Sequence, residues 1–138
     1  MEKSQIIIKI NYFRQDMNYD YIKFINRMGG NYMNAYNPAT GKFVAPKNGR
    51  YSFTIQMSVD NPAKTGYSYQ ISFRVNDENK YHLYASAALD KDNKDSRHFK
   101  VEFDLHQDDK VGFYLMSHTD AQFAGSSFIE GKMVKNKE

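Results

Sequence analysis

Hydrophobic and polar residues alternate along two stretches in the middle of the chain. In residues 51–59 the odd positions are apolar or aromatic and the even positions are Ser, Thr or Gln. In residues 67–76, Tyr, Ile, Phe and Val alternate with Ser, Gln, Arg and Asn. A period of two places one set on each face of an extended strand, so each stretch predicts a strand half-buried against a core. The DNPAKTG segment between them is rich in turn formers, which predicts that the two strands form an antiparallel pair.

Other stretches predict further strands and no helix. Residues 99–105 alternate between apolar and charged positions, whereas residues 111–116 are apolar on both faces and need a second partner, either another sheet or another subunit. No window of about 11 residues keeps apolar positions at helical spacing. Short strands separated by turn signals indicate an all-β sandwich or barrel. The remaining predicted strands are residues 6–13, 82–89 and 128–134.

The composition fits one small domain without covalent crosslinks. The chain has 138 residues and a mass of 16.1 kDa, which suits a single domain over residues 1–138. We expect a strand core at about residues 6–134 and a short basic tail at residues 135–138. The chain contains no cysteine, so no disulfide or thiolate site contributes. Its aromatic content of 15% comes from Tyr and Phe, which favour strands.

Charge and the N-terminal pattern argue against two kinds of partner. The net charge of +3 is a mild excess spread along the chain, whereas nucleic-acid binders usually concentrate Lys and Arg on one face. The apolar stretch near the N-terminus is too short and too interrupted for a signal peptide or a membrane span. We therefore expect no nucleic-acid binding and no membrane insertion.

The four histidines do not predict a catalytic site. His106 precedes Asp108 by two positions, and His118 precedes Asp120 by two positions as well. This spacing is compatible with an acid–base pair or a pair of metal ligands. The chain has no cysteine nucleophile, no Gly-x-Ser-x-Gly turn and no glycine-rich phosphate loop after a strand. We expect surface histidines beside loop acids, and no enzymatic activity.

The segment at residues 31–55 carries the most specific spacing in the chain. Its marked positions are Asn31, Tyr36, Phe43, Gly49, Tyr51 and Phe53. Pro46 cannot donate to a β-ladder and belongs at a strand end or edge, and Gly49 permits a tight entry into the next strand. This spacing resembles the signature of the globular head domain of complement C1q and its relatives.

Three later segments, residues 73–80, 103–115 and 125–134, extend the resemblance over most of the chain. The chain departs from the family pattern at Asp77 and Asp108, where the family often has Gly. These departures bear on the turn conformations and the strand register rather than on the fold, and Asp tolerates a left-handed backbone better than most other non-Gly residues.

The resemblance implies a ten-stranded jelly-roll β-sandwich that forms a homotrimer, an architecture shared with tumour necrosis factor-like cytokines. The resemblance implies that this module requires no cofactor. Relatives bind microbial surfaces, sugars, immune complexes, apoptotic cells or receptors. The resemblance thus implies a secreted pattern-recognition or lectin-like module of innate immunity, which binds surface glycans or other repeated targets by avidity. A cytokine-like receptor ligand and a trimerising head of a stalk or coat protein are the alternatives.

Loops carry specificity in such a module, because a rigid sandwich tolerates loop variation. The candidate loops are residues 60–66, 90–97 and 117–125. Their polar side chains could hydrogen-bond to a sugar, and the predicted ligand-binding residues are Arg97, His118, Asp120 and Gln122.

Some relatives hold calcium near the trimer apex, in the loop that corresponds here to residues 90–96. Carboxylate and amide oxygens are the ligands that Ca²⁺ prefers. By position relative to Leu105, Asp95 is the best match and Asp92 the second. Interleaved lysines reduce the local negative charge, so a charged hairpin without metal is the alternative to a structural Ca²⁺ site.

Overall fold

Two antiparallel sheets pack face to face around one core. The computed structural model describes residues 5–12, 20–31, 35–89 and 92–136, and all regular structure in this part of the chain is extended. The strands are β1 (Gln5–Tyr12), β2 (Asp20–Tyr21), β3 (Phe24–Asn31), β4 (Tyr36–Asn37), β5 (Lys42–Val44), β6 (Gly49–Asp60), β7 (Tyr67–Val75), β8 (Glu78–Ala87), β9 (Lys94–Leu105), β10 (Lys110–Thr119) and β11 (Phe128–Asn136).

The first sheet has the order β3-β1-β11-β6-β9, and the second has the order β4-β5-β10-β7-β8 with β2 beside β10. The predicted all-β class is confirmed, and this order fits a jelly roll. The described residues contain eleven strands rather than the expected ten, two of them only two residues long. None of the described segments forms a helix capable of spanning a lipid bilayer.

The predicted pairing of the two central strands is wrong. β6 pairs with β11 and β9 in the first sheet, whereas β7 pairs with β10 and β8 in the second. Residues 61–66 therefore carry the chain from one sheet to the other instead of closing a hairpin. Turn-forming residues show where a chain bends, but they do not specify the partner of the strand that follows.

The aromatic positions of the spaced motif form the centre of the core. The largest fully buried side chains are Tyr36, Tyr51, Tyr69, Phe24, Phe43, Phe53, Phe73 and Phe113. Rings from the two sheets meet at Phe73, whose centroid lies 5.8 Å from that of Phe53 and 5.3 Å from that of Phe113. Burial of each such ring stabilises the fold by about 1.5–3 kcal/mol, so the motif fixes the packing of the two sheets.

The second partner predicted for residues 111–116 is a segment of the same chain. Val111, Phe113 and Leu115 are buried in the core. On the opposite face of β10, the ring of Tyr21 in β2 covers Gly112 so closely that a Cβ atom there would lie 2.5 Å from it. The chain itself thus covers both faces of β10 at Gly112, whereas Tyr114 and Met116 on the outer face are only partly buried.

The two Asp residues that depart from the family pattern lie in turns with a left-handed backbone. Asn76 and Asp77 have φ angles of 51° and 67° in the turn between β7 and β8, and Asp108 has a φ of 73° before β10. Two successive residues with positive φ give a hairpin turn whose twist matches that of the flanking strands. Asp77 and Asp108 therefore take the left-handed conformation for which the family often has Gly.

Candidate functional site

Three interstrand loops meet at one end of the sandwich. This loop end consists of residues 61–66, 88–89 with 92–93, and 120–127. Backbone hydrogen bonds join the loops to each other and to the strand ends: the Asn61 N–H donates to the Asn93 carbonyl at 2.7 Å, and the Asp60 N–H donates to the Gln122 carbonyl at 2.9 Å. The described parts of the three candidate loops therefore lie together, but residues 94–97 belong to β9 and residues 117–119 to β10 rather than to loops.

The Asn61 side chain, which is 0% exposed, holds the loop end together. Its Nδ2 donates to the carbonyl oxygens of Thr65 at 2.9 Å and Asp120 at 2.7 Å, and its Oδ1 accepts the Gln122 N–H at 3.0 Å. A buried amide is stable only when its donors and acceptors are paired, and these contacts pair both ends of it. The sequence analysis missed Asn61 because an Asn before a Pro resembles an ordinary turn former.

A cleft of about 250 Å³ opens at the loop end between the last residues of β8 and the first residues of β9. We call it the loop-end cleft. Two carboxylates and two cationic groups line it, so its formal charges balance. The lining residues are Ala87, Ala88, Leu89, Asp92, Lys94, Asp95 and Arg97.

A hydrogen-bond network shapes one wall of the loop-end cleft. The Asp95 carboxylate accepts from the Tyr67 hydroxyl, from Arg97 Nε at 3.1 Å and from the Ser96 N–H at 3.0 Å. Arg97 Nη2 donates to the Ser86 carbonyl in β8 at 2.9 Å. Because β8 and β9 belong to different sheets, the Arg97 guanidinium links the two sheets beside the cleft.

The network also changes the ionisation of its members. Partial burial by itself would raise the pKa of Asp95, but the hydrogen bonds from Tyr67 and Arg97 outweigh it, so this pKa lies below its usual value. Burial, and then the hydrogen bond to Asp95, raise the pKa of Tyr67 to about 12. At neutral pH the network therefore contains a carboxylate, a neutral phenol and a guanidinium.

The predicted calcium ligands Asp92 and Asp95 do not form a calcium site by themselves. Ca²⁺ takes about six to eight oxygen ligands, yet Asp95 already accepts three hydrogen bonds, one of them from the Arg97 cation. Asp92 is exposed. Within the described ranges no three acidic or histidine side chains are grouped to hold a metal, and Asp90 lies outside those ranges. The site at Asp92 and Asp95 remains a prediction.

The four predicted ligand-binding residues do not line one cleft. Arg97 lines the loop-end cleft. Asp120 and Gln122 are exposed on another loop, and their backbones bond to Asn61. The His118 ring packs 5.7 Å from the buried ring of Phe123, and its Nδ1 is buried without a hydrogen-bond partner among the described residues.

The two histidine–aspartate spacings do not give acid–base pairs. His106 Nδ1 lies 3.8 Å from the carboxylate of Asp109, rather than of Asp108, on an imidazole side chain that is 86% exposed. His118 Nδ1 has no partner in the described part of the chain. General acid–base catalysis requires an imidazole ring that is oriented towards the proton it transfers. His106 is too exposed to be held in this way, and no described group orients the ring of His118 through Nδ1.

Comparisons with known proteins agree with this architecture. The family model of the C1q domain matches residues 8–131. The solved structure of the globular domain of zebrafish complement 1qA protein is similar in fold, with a TM-score of 0.69, 14% identity, and coverage of 99% of this chain and 100% of that one. No curated protein matches the sequence. Since the family match spans most of the chain, this protein belongs to the C1q domain family.

Proposed function

We propose that this chain is a secreted, trimeric recognition module that binds surface glycans through its loop end and catalyses no reaction. C1q domain proteins are generally non-enzymatic recognition modules that oligomerise and bind ligands or receptors, and they are commonly secreted. The main support for the proposal in this chain is the loop-end cleft. It places hydrogen-bond donors and acceptors side by side on a wall that hydrogen bonds hold in place.

The side of the sandwich formed by β8 and β9 supports self-association. Each strand lies at the edge of its sheet, and they are 10 and 12 residues long. Long edges with unpaired backbone groups are usually shielded in monomeric proteins. The core is also incompletely covered there: Tyr81 is 43% exposed, and Leu83, Phe99 and Phe103 are only partly buried. We call these four residues the open flank; covering them with a neighbouring subunit would remove apolar surface from water.

The charges of the loop-end cleft support a glycan as its ligand. Sugar hydroxyls both donate and accept hydrogen bonds, and the cleft offers carboxylates at Asp92 and Asp95 beside cations at Lys94 and Arg97. The bond from Arg97 to Ser86 and the loop contacts of Asn61 hold the surroundings in place, which reduces the entropy lost on binding. A trimer would present three such clefts, so weak single sites would bind a repetitive surface with high avidity.

Glycan-array binding tests the ligand assignment. We expect the wild-type protein to bind a defined set of surface glycans and the Arg97→Gln variant to bind them at least tenfold more weakly, because the variant loses the guanidinium that shapes the cleft wall. Lys100→Gln is the matched control, since this exposed lysine lies on the same strand outside the cleft. Repeating the assay with a chelator tests the calcium prediction separately.

Two results would overturn the glycan assignment: no binding to any glycan, or equal binding by both variants. Saturable, sugar-independent binding to a cell-surface protein would instead support the receptor-ligand alternative. The mass in solution tests the trimer independently of the ligand. We expect three times 16.1 kDa, or 48.3 kDa, and a stable 16.1 kDa species would remove the avidity argument.

A further inference from the structure

Aromatic and cationic side chains cluster on the outer face of the second sheet, towards the end opposite the loop end. The Arg74 guanidinium in β7 lies 3.8 Å from the centroid of the Tyr114 ring in β10. The Tyr114 ring contacts the Tyr21 ring edge-on at 5.2 Å, and Arg74 Nη2 reaches Met116 Sδ at 3.5 Å. We call Tyr21, Arg74, Tyr114 and Met116 the outer patch.

Arg74 differs from the neighbouring cations because it lacks an ion-pair partner among the described residues. Lys42 pairs with Asp77 at 3.0 Å, and Lys80 pairs with Glu78 at 3.2 Å. The described acceptors of Arg74 are instead neutral groups, namely Ser72 Oγ at 3.2 Å, the thioether of Met116 and the hydroxyl of Tyr21, while the Asp77 carboxylate is only near enough for the Arg74 charge to lower its pKa. A guanidinium carries five N–H donors, and a thioether is a weak acceptor. Arg74 therefore retains donors for a further acceptor.

Arg50, on the outer face of the first sheet, shows the opposite arrangement. Its Nε lies 3.1 Å from Glu102 and its Nη1 lies 3.1 Å from Asp104, so two carboxylates of the adjacent strand satisfy it. An outward-facing arginine in this sandwich can thus be paired within the chain. On the second sheet, the half-buried Arg74 is instead held against an aromatic ring.

The composition of the outer patch is that of an interface centre. Arg, Tyr and Met are enriched in the buried cores of protein interfaces, where Lys, Asp and Glu are depleted. Stacking on Tyr114 fixes the guanidinium plane, so less side-chain entropy is lost when it pairs. Further along the same face, Tyr84 is 59% exposed and lies opposite Gln70 in the strand register, which extends the aromatic surface beyond the outer patch.

We infer that the outer patch binds an acidic protein segment, in which an Asp or Glu carboxylate pairs with Arg74 and an adjacent apolar side chain packs on Tyr114 and Met116. Paired N–H donors of a guanidinium match the two oxygens of a carboxylate, and such charge-assisted pairs are stronger than neutral hydrogen bonds. This surface is separate from the loop-end cleft, so the inference does not depend on glycan binding.

A random dodecapeptide library displayed on phage tests the inference with the whole protein. We expect the recovered peptides to be enriched in Asp and Glu, and their synthetic Asn or Gln counterparts to bind at least tenfold more weakly. Arg74→Gln should lose at least tenfold in affinity for the acidic peptides. Arg74→Lys should lose an intermediate amount, because an ammonium cannot pair bidentately. The matched control Arg50→Gln should bind like the wild type.

A direct readout separates binding from altered folding. In the wild-type protein, the Nε–Hε resonance of Arg74 should shift during a titration with the acidic peptide, while that of Arg50 should not. Recovery of no peptide, of peptides without acidic enrichment, or of peptides that bind Arg74→Gln equally well would overturn the inference. Arg74-dependent binding to acidic sugars in place of peptides would also overturn it, since it assigns a protein partner.

Discussion

The loop end and the open flank differ in how completely a single chain pairs its polar groups and buries its apolar ones. At the loop end, the Asn61 side chain is fully buried and hydrogen-bonded at both its amide nitrogen and its oxygen. At the open flank, edge strands meet partly exposed rings such as Tyr81 and Phe103. The groups at the loop end are therefore satisfied within a single subunit, whereas the proposed contact with a neighbour would remove apolar surface of the open flank from water. The loop-end cleft lies between the same two edge strands, β8 and β9, so the proposed binding site borders the surface proposed for association.

The largest expected effect comes from removing the amide that organises the loop end. Asn61→Ala should lower the free energy of unfolding by about 3 kcal/mol, because three strong hydrogen bonds are lost and buried backbone groups are left unpaired. Chemical denaturation at a fixed protein concentration measures this. Asn48→Ala is the control: this exposed Asn at the other end accepts a bond from the Gln107 N–H at 2.7 Å. Equal effects of both substitutions would show that the loops are held without Asn61.

A smaller effect is expected at the open flank, on association rather than on folding. Tyr81→Glu should raise the concentration at which the trimer dissociates by at least about tenfold, because a charge would replace a ring at the contact. Tyr84→Glu should leave the trimer intact, since Tyr84 projects from the opposite face of the same strand. Sedimentation velocity with far-UV circular dichroism distinguishes dissociation from unfolding. A trimer that survives Tyr81→Glu would exclude the open flank as the contact.

The smallest expected effect is the pH dependence from the loop-end network. Because the folded-state pKa of Asp95 is lowered, its contribution to stability is present above the ordinary pKa of the carboxyl and is lost as pH falls through the folded-state value. Asp95→Asn should therefore flatten the acid limb of stability below the ordinary carboxyl pKa of about 4, by less than about 1 kcal/mol because the pair is partly exposed to solvent. Thermal melts across this range measure the difference.

Asp77 serves as the comparison for this titration. Hydrogen bonds from Tyr21 and Lys42 lower the pKa of its carboxyl as well, but it lies at the other end of the sandwich. Asp77→Asn should alter the same acid limb without changing glycan binding, whereas Asp95→Asn should change both. Identical glycan binding by the wild type and Asp95→Asn would show that the Asp95 network takes no part in glycan binding.

The sequence predicted the strands well where one face is buried and the other is polar. β6 and β7 follow the alternation closely, and the aromatic positions Tyr36 and Phe43 of the spaced motif are buried in the core. β3 was missed, since its sequence FINRMGGN has no period of two and includes two glycines. The partners of β6 and β7 were wrong because alternation defines the faces of a strand and leaves its neighbours undetermined.

Single residues of the loop-end cleft stood out in the sequence, whereas their arrangement did not. Arg97 and Asp95 stood out as charged loop residues, and both line the loop-end cleft. Their bonds to Ser86 and Tyr67 depend on the packing of β8 and β7 against β9, which no local pattern encodes. Asn61 was missed for the same reason, because its acceptors and donors come from distant loops.

Gly112 is buried, yet its lack of a side chain determines where the Tyr21 ring lies on the surface. The Tyr21 ring occupies the volume that any side chain at this position would need, with its carbon atoms 2.5 and 2.8 Å from the point where the methyl group of an alanine would lie. Even an Ala there would displace that ring. The displacement would break the edge contact of Tyr21 with Tyr114 and its contact with the Lys42 ammonium, which lies 4.6 Å from the centroid of the Tyr21 ring. Evolution could therefore remodel what this face recognises by adding one carbon atom beneath it, without touching an exposed residue.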